Sequence, residues 1–426
     1  MAHRILSFVL GLAIWLAAGG LCFAAEASAH PPGADDPSHR ILVLLRLSPE
    51  HFRPNSAYGD AYDDGQARGA RRRIASRLAR EHGLTLVDDW PMPLLGVDCF
   101  IMAVPVDRSP DKEAAILSGE PSVAWSEPVK VYQAQGAPAR EGATLFRVQP
   151  AAREWRLADL HQMATGRNVS VAVIDSAIDT THPDLVGRIQ TNQNFVPGHP
   201  DQPERHGTGV AGVIAAQGIG IVGVAPRARL MALRACWQLA AQPARPSTTV
   251  CDSLSLAEAL HFAIEHNAQV INLSLSGPPD PLLGKLLDVA LARGVTVVGA
   301  FDRDLPDGGF PASHAGVVRV VDESLESPPP GVYSAPGRDV PTTQPGGRWF
   351  LVNGSSYAAA HVSGLFALIR ERGRRTERAS ALVTTRTGGA AIDACATLLR
   401  AAGPCDCACA KARQVSSLEV SAVVRQ

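Results

Sequence analysis

Between residues 168 and 321, short runs of uninterrupted apolar residues alternate with longer helical stretches. The runs are NVSVAVID, RLMALRA, AQVINLSL, GVTVVGA and GVVRVV; between them lie HGTGVAGVIAA, SLAEALHFAIEH and LLGKLLDVALARG. Strands that are apolar throughout, rather than at every second residue, are buried on both faces. That pattern requires a parallel sheet with helices packed on each side, an α/β fold. In such sheets ligands meet the carboxyl ends of the strands. Functional side chains are therefore expected just after strands or at helix starts.

Ahead of this region, RILVLLRL, GARRRIASRLAREHG, LTLVDDW, GVDCFIMAVP, DKEAAILSG and SVAWSEPVKVY read as strand, helix, two strands, helix and strand. This is a small α+β, ferredoxin-like pattern over residues 40–133. Residues 30–39 read as a polar, Pro-rich linker, 134–150 as an exposed connector, and 151–373 as the larger α/β unit. Two units are expected of 426 residues. Residues 374–426 form a Cys-containing tail with weak periodicity and no assigned role. A formal net charge of −1 gives no reason to expect nucleic acid or an acidic membrane surface as partner. The arginines around residues 71–80 read as a solvated helix face.

Residues 1–29 differ from the rest. MAHR is followed by the apolar ILSFVLGLAIWLAAGG and then by small residues ending in ASAH. The run is too short to span a bilayer and reads as a secretory signal cut near Ala29. Leu21 before Cys22 argues against a lipid anchor, and no later stretch is long and apolar enough for a membrane anchor. A secreted or periplasmic location follows. Removing Cys22 leaves seven cysteines for an oxidising compartment. Cys236 and Cys251 can close a Pro/Gln/Thr-rich loop. PCDCACAK could hold a metal, but it lacks the paired two-residue spacings of zinc sites, which favours a disulfide to Cys395. An odd thiol is left over.

Three polar residues fall where the strand-end rule places function. Asp175 ends NVSVAVID, His206 opens HGTGVAGVIAA, and Ser356 heads SYAAAHVSGLFALI. Singly they read as a turn acid, a helix-start histidine and an N-cap. Together they supply what a hydroxyl needs to attack at neutral pH: a base in reach, and a carboxylate to hold that base's tautomer.

VAVIDSAIDTTHPDL, HGTGVAGVIAA and NGSSYAAAHVSG resemble the aspartate, histidine and serine motifs of the subtilisin-like serine proteases, the subtilases. VINLSLSGP and VGVAPRARLMALR resemble the cleft strand and the segment after the histidine helix. The resemblance covers roughly residues 150–372. It implies a subtilisin-like parallel sheet and a serine endopeptidase that works through Asp175, His206 and Ser356 and an acyl-enzyme. The family's Gly-Thr-Ser falls on Gly354, Ser355 and Ser356, so Ser356 is the implied nucleophile. Ser274, Leu275, Ser276 and Gly277 are implied to bind a protein or peptide substrate. Residues 40–133 resemble an inhibitory propeptide, acting on its own chain and cut away within 134–150.

The resemblance has departures. Ala177 and Ala360 replace a glycine and a proline. No cofactor is implied except at Asp184, which matches a calcium-ligand position, although the loop that completes such a site is missing from QGIGIVGVAP. Asp302 stands where the family has an oxyanion-binding asparagine. An ionised carboxylate cannot donate there, and losing one such donor costs about 10²–10³ in turnover. The alternative reading is a protease-like binding or scaffold protein with little turnover.

Overall fold

The structure, a computed structural model, describes residues 37–47, 60–134, 137–141, 145, 148–239, 247–373, 382–385, 389–402 and 409. The expected signal at 1–29, most of the linker, Cys22, Cys405, Cys407 and much of the tail lie outside the described residues. The first unit holds β1 (Arg40–Arg46), α1 (Asp60–Glu81), β2 (Thr85–Met92), β3 (Val97–Ala103), α2 (Pro110–Ser118) and β4 (Val123–Pro128). Its antiparallel sheet runs in the order β2-β3-β1-β4. Residues of β1 alternate between two cores. Ile41, Val43 and Leu45 pack with Ala75, Leu78, Ala114 and Leu117 of its own helices. Leu42 and Leu44 face away from those helices and join the core of the larger unit. Arg68, Arg71 and Arg72 of α1 pair with Asp89 and Asp98 on β2 and β3.

Residues 134–150, read as an exposed connector, are partly built into sheets. β5 (Val131–Ala134) and β6 (Ala137–Glu141) are strands, and α3 (Pro150–Glu154) starts on buried residues. The sequence carries no apolar signal there because these strands are held by main-chain pairing. After α4 (Leu157–Met163) come β7 (Ser170–Asp175), β8 (Ile189–Asn194), α5 (Arg205–Ala215), β9 (Arg229–Arg234), β10 (Cys236–Gln238), β11 (Thr249–Asp252) and α6 (Ser253–Glu265). Then follow β12 (Val270–Leu273), β13 (Leu275–Ser276), α7 (Pro281–Ala292), β14 (Thr296–Ala300), β15 (Val318–Asp322) and β16 (Val332–Ala335). β17 (Val340–Gln344), β18 (Arg348–Asn353), α8 (Ser355–Arg372) and α9 (Ala394–Ala402) complete the described chain.

The central sheet has seven parallel strands in the order β16-β15-β14-β12-β7-β9-β8. Alternate side chains feed two cores. Val171, Val173, Leu230 and Ala232 pack with α5 and α8. Ala172, Ile174, Met231 and Leu233 pack with α6 and α7. The five runs read from sequence are β7, β9, β12, β14 and β15; β8 and β16 at the edges were not read. Cys236 and Cys251 form a disulfide between facing residues of β10 and β11, and Cys395 pairs with Cys409. Cys99 is a buried free thiol. Among the described residues no helix is long and apolar enough to cross a membrane.

Candidate active site

Asp175 is the last residue of β7, and Ser274 directly follows β12. Asp302 lies two residues past β14, while His206 and Ser356 are the second residues of α5 and α8. The sheet thus gathers the sequence-predicted residues at its carboxyl edge. Asp175 Oδ1 accepts the Ser176 N–H at 2.7 Å and lies 2.8 Å from His206 Nδ1. The carboxylate can only accept, so Nδ1 carries the proton and Nε2 is the bare, basic nitrogen. Nε2 is buried and has no hydrogen-bond partner. The approach of His206 to Asp175 needs glycine at the next position. A Cβ on Gly207 would lie 2.1 Å from the Ser176 carbonyl oxygen.

Ser356 is fully buried and is not bonded to His206. Its hydroxyl donates to the Ser274 carbonyl at 2.9 Å, and the Ser274 hydroxyl donates back to the Ser356 carbonyl at 2.9 Å. This reciprocal pair belongs to a longer chain. Ser363 donates to Asn272 Oδ1 and Asn272 Nδ2 to Ser274 Oγ, each at 2.9 Å, which fastens α8 to β12. Gly354 starts α8 with φ 132°, a conformation that favours glycine. Tyr357 is buried beside the imidazole, with ring centroids 5.7 Å apart. Burial first, and the charge of Asp175 second, raise its hydroxyl far above the usual tyrosine value, so it stays a neutral phenol. His361 is a structural histidine. Burial pushes its pKa down to about 4, and its Nδ1 lies 2.8 Å from the Tyr357 carbonyl oxygen.

Sequence reasoning missed Tyr357, Asn272 and Glu204. Glu204 holds the loop after Asp175 by accepting the Ala177 N–H at 2.9 Å and the Gln238 N–H at 2.7 Å. PERHG looks like an ordinary polar turn, so only position, two residues before His206, could have drawn notice.

A model of the subtilase family matches residues 166–301. Subtilisin from Bacillus pumilus is 35% identical over 224 residues, covering 48% of this chain and 78% of that protein. The chain belongs to the subtilase family. Subtilisin Savinase from Lederbergia lenta is 36% identical over 222 residues, covering 49% of this subtilase and 78% of its relative. Subtilisin E from Bacillus subtilis (strain 168) is 35% identical over 224 residues, 48% of this chain, and the match spans 56% of that relative's length. Fervidolysin from Fervidobacterium pennivorans, described as a keratinolytic enzyme related to subtilisin, has the same fold. The TM-score is 0.64 at 21% identity, covering 86% of this chain and 61% of the other.

Asp302 takes up an acceptor's role in this subtilase. Its Oδ2 accepts the Ser276 hydroxyl and its Oδ1 the Asp304 N–H, each at 2.9 Å. The second bond is an Asx turn, which acidic residues form readily. At the calcium-ligand position, the buried Asp184 accepts four consecutive backbone N–H groups, from Gly218, Ile219, Gly220 and Ile221, at 2.6 to 3.1 Å. The Trp349 indole N–H adds a fifth at 2.7 Å. Five N–H dipoles with their positive ends on one carboxylate do not suit a cation. Among the described residues no group of three or more His, Cys, Asp or Glu side chains is placed to hold a metal.

Proposed function

We propose that this subtilase is an exported serine endopeptidase that cuts its own chain between Ala134 and Ala137. The strand pairing around Ser356 carries this reading. β5 lies antiparallel between β11 and β13, with Ala134 opposite Leu275 and Gln133 opposite Ser276. β6 lies antiparallel on β18, with Ala137 opposite Asn353. β13 begins one residue after Ser274, whose carbonyl holds the Ser356 hydroxyl, and β18 runs through Gly354 into Ser356. Main-chain pairing on both sides of the nucleophile position is how an extended peptide substrate is held. Residues 40–133 then act as the prodomain, an inhibitor of the same chain, and β5 as the last strand to leave the cleft.

The chemistry follows from the named groups. For attack the Ser356 hydroxyl has to leave the Ser274 carbonyl and donate to His206 Nε2. Oγ attacks the substrate carbonyl carbon as its proton passes to Nε2, and Asp175 stabilises the imidazolium. The N-terminus of α8 favours the developing oxyanion. Nε2 then protonates the leaving amine, and a water repeats the sequence on the acyl-enzyme. Ser274, Leu275, Ser276 and Gly277 line the non-primed side. The Tyr132 ring rests on Gly277, where a Cβ would come within 2.2 Å of it, and lies 6.2 Å from the Phe310 ring. Extended peptides carrying a large aromatic side chain at this position are the expected substrates.

A second reading has its own support. Ser356 bonded to Ser274 and Asp302 acting as an acceptor both favour a binding protein with little turnover. One experiment separates the two. The wild-type chain should lose its N-terminal part, give a new N-terminus at residue 135, 136 or 137 by intact mass, and be labelled at Ser356 by a fluorophosphonate. Ser356→Ala should stay whole and unlabelled. An unlabelled, uncut wild-type chain would leave the binding reading in place.

A further inference from the structure

The sheet of the prodomain meets α6 and α7 across a surface rich in carboxyls. Glu127 of β4 reaches over to α7, where its Oε1 accepts the Leu282 N–H at 3.1 Å. Asp280, the N-cap of the same helix, accepts the next N–H, that of Leu283, at 2.9 Å. Two carboxyls from two units therefore sit on consecutive donors of one helix. Each is almost fully buried, at 5% and 3% exposure. Their second oxygens, Glu127 Oε2 and Asp280 Oδ2, are buried without a hydrogen-bond partner. Two anions held this way repel each other, and one proton on either removes the repulsion and supplies a donor.

Few groups around the pair could offset that repulsion. Lys130 attracts it from the segment between β4 and β5, but its ammonium is bonded to the Pro279 carbonyl at 2.7 Å. Lys285, one turn into α7, stands over the Trp125 ring at 5.1 Å. The Trp125 indole donates to Glu127 Oε1 at 3.4 Å, the Tyr132 hydroxyl, itself without another partner, faces Asp280 from β5 as a donor and favours its ionised form, and the Cys99 thiol lies near Glu127 from β3. Burial first, and Asp280 second, hold the Glu127 carboxyl well above its usual range; burial also raises Asp280, against the backbone N–H of Leu283, Lys130 and Tyr132, which lower it. Glu258 of α6 repeats the arrangement on a smaller scale. Burial, then Asp252 at the α6 N-cap and Asp88 of β2, push its pKa up to about 7.

We propose that the Glu127–Asp280 pair is a proton-operated latch, which holds the prodomain on the catalytic unit while it carries a proton and loosens it when both carboxyls are ionised. The inference rests on residues 40–133 being a separable prodomain and does not require that the chain cut itself. A glutamate free in water titrates near ~4.3. Docked, Glu127 titrates higher, so between the two values the docked state binds more protons than the released one. Docking then weakens as pH rises, by up to ~10-fold per pH unit for each proton involved. Below the free value docking is at full strength, and above the docked value the loss is complete.

The test uses the full-length Ser356→Ala chain, with intact mass confirming that it is uncut. Amide hydrogen exchange, corrected for intrinsic rates, is read in residues 281–287 and in β4 at pH 5.5 and pH 8.0. Protection at pH 5.5 should exceed that at pH 8.0 by at least ~10-fold. Glu127→Gln in the same background still accepts the Leu282 N–H and can donate to Asp280 Oδ2, so protection should agree within ~2-fold at the two pH values. Asp280→Asn should flatten the profile in the same way. Equal protection in the parent at both pH values, or a difference that survives both substitutions, overturns the latch. Because cleavage is not the readout, that result leaves the protease reading to its own experiment.

Discussion

Asp302 offers two carboxylate acceptors beside Ser276, next to where a substrate carbonyl would lie. The subtilase resemblance puts it at an oxyanion donor's position, and the structure makes both its oxygens acceptors, of the Ser276 hydroxyl and the Asp304 N–H. Asparagine fits the same bonds. Its carbonyl oxygen can keep the Asp304 N–H, and its amide can donate to Ser276 Oγ or turn toward a substrate oxyanion. Asp302→Asn should therefore fold normally and raise kcat/KM on a peptide substrate by up to ~10²-fold. An unchanged kcat/KM with the fold intact would show that Asp302 only holds the turn. Motif order made Asp175, His206 and Ser356 legible as a set. The hydroxyl's actual partner was not legible, since a serine rotamer depends on Ser274, which lies 82 residues away in the chain.

Among the elements, the buried parallel strands were readable because apolar residues fill both of their faces, with polar residues few and mostly at the strand ends. The edge strand β8 was not, because IQTNQN shows water one face and is placed by pairing with β9. β6 escaped for a similar reason, as a short strand stabilised by pairing with the distant β18, whereas β5 was read only as the end of the longer extended piece SVAWSEPVKVY. The arrangement of the loop at residues 217–222 was not legible either. It closes on itself at Gln217 and Val222 and wraps four N–H groups around Asp184, where the resemblance pointed to calcium. Asp184→Ala would orphan these donors and the Trp349 indole. At about 1–3 kcal/mol for each buried unmade bond, partly relieved by water at the loop surface, the expected loss is about 3 kcal/mol or more. Guanidinium denaturation measures it, and EDTA should leave the wild-type midpoint unshifted. A calcium-dependent midpoint, or a loss below about 1 kcal/mol, would contradict the N–H cage.

At the scale of the whole molecule, the two units are legible separately and their contact is not. Strand and helix patterns mark each unit, but nothing in RILVLLRL tells that Ile41, Val43 and Leu45 serve one core while Leu42 and Leu44 serve the other. The second core is shared. Leu42, Leu44, Met92, Cys99 and Ile101 belong to one cluster with Leu256, Leu260, Leu282, Leu283 and Leu286. The Trp90 ring packs edge-on against His261 of α6, with centroids 5.1 Å apart. A seven-stranded parallel sheet built from pairings between distant segments closes slowly, because loop entropy is lost before the contacts form. An antiparallel sheet that formed early and gathered α6 and α7 on one face would lower that barrier. In the Ser356→Ala background, a chain beginning at residue 137 should refold from guanidinium at least ~10-fold more slowly than the full chain, read by far-UV circular dichroism. Equal refolding rates would mean that residues 40–133 take no part in building the larger unit.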